Sequence, residues 1–137
     1  MLRKDGKIEL LKQVPLFSQC TKKQLGTIAA LTDLVDVPTG TRLIREGSYD
    51  RDFMLIVDGE VDVRRNGKKI GSLGAGDFMG EMALLSGGER IATVTTTAET
   101  TVLVVGPRAF WELLDNTPGL QVSLIRALGT RLQALTV

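Results

Sequence analysis

The chain has 137 residues, 17 Lys and Arg against 16 Asp and Glu, no His, one Cys and 43% apolar residues. That length suits a single domain over 1–137 with its own core, and a net charge of +1 gives no electrostatic reason to expect a nucleic acid as partner. Without His there is no Ser–His or Cys–His nucleophile and no His-ligated metal centre, and Cys20 alone cannot close an intrachain disulfide.

The start, MLRKDGKIELLKQVP, has its apolar residues broken by Lys7, Glu9 and Lys12, so no signal peptide is read. No run approaches the ~18 apolar residues that span a bilayer. The expectation is a cytoplasmic chain with no membrane partner and no direct contact with nucleic acid.

From Asp5 to Leu31 the pattern is helical. Ile8 with Leu11 and Leu10 with Val14 recur at three and four, and Pro15 interrupts. Thr21-Lys22-Lys23-Gln24 has the form of a capping box, followed by Leu25, Ile28, Ala29 and Leu31 on one face. Helices are predicted near 5–13 and 21–31.

From about 34 to 105 the period falls to two. Val35 and Val37 alternate with Asp36. Phe53, Leu55 and Val57 are expected on one face, and Val61 and Val63 follow the Asp58-Gly59 turn. Asn66-Gly67 is a hairpin signal, because both positions need positive φ. Ile91–Thr97 and Thr101–Val105 are β-branched runs with strand character. About eight short strands at even spacing imply a jelly-roll-like double-sheet β roll.

The last third returns to helix over about 107–135. Pro107 and Pro118 suit first helical positions. Phe110, Leu113 and Leu114 form a short apolar face, and Leu120, Leu124, Ile125, Leu128, Leu132 and Leu135 form a longer stripe. That stripe reads as core or as an interface for a homodimer or an effector protein. The fold class is therefore α+β, mainly β: an eight-stranded roll with N-terminal helices and two C-terminal helices.

One stretch departs from strand alternation. Gly80-Glu81-Met82-Ala83-Leu84-Leu85 supplies about one turn of helix, Gly87-Gly88 ends it, and Arg90 precedes Ile91-Ala92 and a strand. A helix start favours an anion, Gly80 leaves room for close approach, and Arg90 offers a guanidinium fork. Glu81 would repel a bare phosphate but suits a hydroxyl beside one. A hydroxyl next to a singly charged phosphate describes a cyclic nucleotide.

The stretch resembles the phosphate-binding cassette of the cyclic-nucleotide-binding domain family, with catabolite activator protein-like and kinase regulatory subunit-like members. The family pattern, Gly-Glu-x-Ala-Leu then Arg-small-Ala, appears as Gly80-Glu81-Met82-Ala83-Leu84 and Arg90-Ile91-Ala92, with further likeness at Gly40, Glu46-Gly47, Gly59 and Gly76-Asp77-Phe78. The resemblance implies a cassette over 80–92. In it Glu81 holds the ribose 2′-hydroxyl, Arg90 the exocyclic phosphate oxygen, and the amides of Met82, Ala83 and Ala92 complete the cradle. Val63, Ile70 and Leu73, with Arg131 on the last helix, are the implied base pocket.

Two positions depart from the pattern. Ile91 stands where relatives carry a small residue, often hydroxylated, which favours cyclic AMP over cyclic GMP as ligand and narrows the pocket. Glu89 replaces a common Pro and is a candidate competitor for Arg90. The expected function is a non-catalytic sensor without cofactor or metal, relaying occupancy through its C-terminal helices. The alternatives are a degenerate cassette acting as an interaction or dimerisation module, and the sensor domain of a truncated transcription regulator.

Overall fold

The computed structural model of the protein describes residues 4–135. Two helices open the chain, α1 (Lys4–Lys12) and α2 (Lys22–Leu31), separated by a 3-10 turn at Pro15–Phe17. Eight strands follow: β1 (Asp33–Val37), β2 (Arg42–Ile44), β3 (Phe53–Asp58), β4 (Glu60–Arg65), β5 (Lys68–Gly74), β6 (Phe78–Met79), β7 (Thr93–Thr96) and β8 (Thr100–Val105). A short helix, α3 (Glu81–Ser86), interrupts them between β6 and β7, and α4 (Pro107–Asn116) and α5 (Pro118–Leu135) close the order. The chain divides into two compact units. One joins the residues up to Leu31 with those from Arg108 onward; the other is Thr32–Pro107.

The second unit is the β roll. Its two four-stranded sheets run β1-β8-β3-β6 and β2-β7-β4-β5, and every pairing is antiparallel. Ile44, Met54, Ile56, Val61, Met79, Val94 and Val102, drawn from both sheets, form one buried cluster. The expected alternation of β3 fails because Phe53, Met54, Leu55 and Ile56 are all buried. Met54 and Ile56 belong to the inter-sheet cluster, while Phe53 on the opposite face stacks on Phe78, with ring centroids 5.6 Å apart. A strand buried on both faces reads as a continuous apolar run, which period-two reasoning does not capture.

The hairpin turn forms as expected: Asn66 and Gly67 have φ of 53° and 79° between β4 and β5. The seven-residue β5 lies at the edge of its sheet, largely exposed, with two lysines at its start. The predicted strand over 91–97 begins only at Thr93, leaving Ile91 and Ala92 in the preceding loop.

In the helical unit the capping box is made in both directions. The Thr21 amide donates to Gln24 Oε1 at 2.8 Å and the Gln24 amide to Thr21 Oγ1 at 3.2 Å. Lys7 Nζ donates to the Ala29 carbonyl at 2.7 Å, tying α1 to α2. Phe110, Leu113 and Leu114 on α4 are buried, as are Leu120 and Leu124 on α5. The rest of the stripe on α5 does not continue the core: Leu128 is half-buried, and Ile125 and Leu132 are 69% and 65% exposed. Leu135 contributes its backbone to α5, and its side chain lies outside the described ones.

Candidate functional site

The site is built around Arg90, whose side chain is 2% exposed. Burying a guanidinium is costly unless its N–H groups are met, and here each nitrogen has an acceptor. Nε donates to Asp50 Oδ1 at 3.0 Å, Nη1 to the Gly80 carbonyl at 3.0 Å, and Nη2 to the Asp52 carbonyl at 2.7 Å. The backbone is held as well. Arg90 N donates to the Ser48 carbonyl at 2.8 Å, and the Arg90 carbonyl accepts from Gly47 N at 2.9 Å. Position and plane of this side chain are thus set by the loop between β2 and β3 together with the Gly80 carbonyl.

The other half of the motif stands against it. Gly80 is the N-cap of α3 and has φ of 91°, a left-handed conformation that disfavours any side chain. A β-carbon there would meet Arg90 Nη1 at 2.6 Å and the Asp52 carbonyl at 2.6 Å. The space this glycine leaves lies against the protein's own arginine and the Asp52 carbonyl. Glu81 opens α3 and is buried at 6% exposure; Ala83 and Leu84 are buried behind it, while Leu85 is 45% exposed. Met82 is the second residue of α3. Gly87, also left-handed, closes the helix with its amide on the Ala83 carbonyl at 3.0 Å.

Gly80, Glu81, Met82, Ala83 and Arg90 are thus gathered in one region, with Ala92 half-buried and Ile91 49% exposed just beyond it. The Ile91 carbonyl accepts from Arg65 Nε at 3.1 Å. Of the expected base-pocket residues, Val63 and Leu73 are half-buried against the inter-sheet cluster, and Ile70 is 56% exposed. Arg131 lies on α5, in the helical unit.

The acid beside Arg90 is Asp50, not its neighbour Glu89, which is exposed. Sequence reasoning missed the whole Ser48–Asp52 loop. A turn-forming Ser-Tyr-Asp-Arg-Asp run after Glu46-Gly47 was visible, but nothing local ties it to a residue some forty positions on. Among the described residues no group of His, Cys, Asp and Glu could hold a metal ion, and no helix is long and apolar enough to cross a membrane.

The sequence profile of the cyclic nucleotide-binding domain matches residues 34–117. The chain belongs to this family. It is 32% identical over 121 residues to a cAMP-dependent protein kinase regulatory subunit of Mycosarcoma maydis, an alignment covering 82% of this chain and 23% of that protein. The chain spans about a quarter of the length of the curated relatives it matches. Among solved structures its fold is similar to cAMP-bound PfPKA-R, with a TM-score of 0.84 at 22% identity, over 96% of this chain and 46% of that one. It is also similar to the catabolite activator protein of Thermus thermophilus, with a TM-score of 0.79 at 25% identity, over 88% and 59% of the two chains.

Proposed function

We propose that this chain is a non-catalytic sensor domain that binds a cyclic nucleotide, cyclic AMP in preference to cyclic GMP, and relays occupancy through α4 and α5. The observation that carries the reading is the 3.0 Å contact from Arg90 to the Gly80 carbonyl. It joins the two halves of the motif, ten residues apart in sequence, which supports reading them as one phosphate site. In this reading Arg90 takes the exocyclic phosphate oxygen and Glu81 the ribose 2′-hydroxyl. The amides of Met82, Ala83 and Ala92 complete the cradle, and Val63, Ile70 and Leu73 meet the base. The ligand suits the relatives, which are cAMP-dependent regulatory subunits, and the absence of a hydroxyl at Ile91 favours adenine over guanine.

Calorimetric titration with both nucleotides tests the reading. Binding of cyclic AMP more tightly than cyclic GMP supports it. No heat from folded protein at ~100 μM cyclic AMP, a concentration that reveals any affinity near or below that value, overturns it.

A second reading is a docking module that works through α5, favoured by the 69% and 65% exposure of Ile125 and Leu132. It predicts ligand-independent association in sedimentation, broken by Ile125→Glu.

A further inference from the structure

Arg90 and the end of α3 are joined by only three residues, Gly87-Gly88-Glu89. Two of them are glycine, the residue that loses most freedom when ordered. That connection sets how far the arginine stands from the helix. Two adjacent residues of the β2–β3 loop grip its ends in opposite directions: Asp50 holds Arg90 Nε at 3.0 Å, and Arg51 Nη2 donates to the Gly87 carbonyl at 2.5 Å. The second contact places a cation on the carbonyl of Gly87, the C-cap of α3, at a helix end that favours one. Inside the bracket the Gly88 amide donates to Ser86 Oγ at 3.2 Å. The Ser48 hydroxyl, whose proton goes to the Arg45 carbonyl at 2.7 Å, stands 3.2 Å from Asp50 Oδ1.

We infer that Asp50–Arg51 is a bracket that pre-orders the cassette, with Arg51 as a positioning residue for the phosphate-binding arginine. The inference rests on the cyclic-nucleotide reading for its ligand. A ligand that bridges the start of α3 and Arg90 must find the glycine connection ordered or bear the cost of ordering it. Pre-ordering therefore raises affinity without any contact between Arg51 and the ligand, and most of the effect falls on the dissociation rate.

The test compares wild type with Arg51→Met, which keeps the stem but removes donor and charge, and Arg51→Lys, which keeps both. Cyclic AMP affinity and dissociation rate are measured together with amide hydrogen exchange in the ligand-free proteins. Arg51→Met is expected to weaken binding by ~3- to 10-fold, the range of one hydrogen bond, and Arg51→Lys to recover most of it. Exchange at the Gly87 and Gly88 amides should quicken in Arg51→Met, with protection in β3 and β8 unchanged. Wild-type affinity in Arg51→Met, or protection lost evenly through β3 and β8, overturns the bracket. If wild type takes no cyclic AMP, the functional reading fails, and exchange alone decides: a local rise at Gly87 and Gly88 sustains the bracket, and no rise removes it.

Discussion

Gly80 stands so close to Arg90 that a β-carbon on it would lie 2.6 Å from Nη1 and, on the other side, 2.6 Å from the carbonyl oxygen of Asp52. The guanidinium is held by three hydrogen bonds and the carbonyl belongs to the entry of β3, so neither gives way without loss, and φ of 91° adds its own penalty for an L side chain. Gly80→Ala is expected to cost ~1–3 kcal/mol. Urea denaturation reads this as a lower midpoint, and an unmoved midpoint would show that the β3 entry yields easily.

Arg90→Ala should act on binding and stability together. Hydrogen bonds to charged groups contribute ~1.5–3 kcal/mol each, so loss of one charged contact to phosphate weakens cyclic AMP binding by ~10- to 150-fold. The same change strips the half-buried Gly80 and Asp52 carbonyls of their donor, and should lower stability by ~1 kcal/mol. Titration and thermal melting separate the two effects. Retained affinity in the folded variant would mean that the arginine is a structural strut only.

The capping box offers a prediction in the helical unit. Thr21→Ala removes the acceptor of the Gln24 amide and should destabilise by ~0.5–2 kcal/mol. Far-ultraviolet circular dichroism in urea would register it, with cyclic AMP affinity unchanged.

Cys20 gives a pH prediction. Burial pushes its thiol up from the ordinary value, because the charged form is disfavoured away from water. The folded protein therefore holds this proton more tightly than the unfolded chain. The stability linked to it is fully present below the ordinary thiol range and is lost as pH rises through the folded value. Iodoacetamide, which reacts with the thiolate, should label native protein at pH 8 more slowly than protein in denaturant. Equal rates would contradict the burial argument.

What could be read in the sequence was mainly what is local. Thr21 and Gln24 lie three apart, and Asn66 and Gly67 are adjacent; in each case the chemistry of the pair dictates the geometry. The eight strands and the cassette helix followed from periodicity and from glycines that break it. Phe53–Ile56 was misjudged because burial on both faces depends on what covers a strand, which alternation within it does not record. Asp50 went unnoticed as the partner of Arg90 because such pairing is decided by how the roll closes. Glu89, the acid adjacent in sequence, is exposed. On α5 the stripe is continuous in sequence, yet only its first turns reach the core, and side-chain type alone does not say where a long helix leaves its neighbours.

The exposed edge formed by β5 has a consequence for how the protein behaves when crowded. A sheet edge offers main-chain donors and acceptors, the kind of template onto which another chain can zip; at the end of β5 the Gly74 amide and carbonyl are taken up by Asp77. Lys68 and Lys69 sit at the start of β5, and the register shifts between Val63 and Arg64 on the strand beside it. Like charges meeting like charges, along an edge that is not straight, make stacking of roll upon roll costly. The hairpin thus carries two features that oppose edge-to-edge pairing.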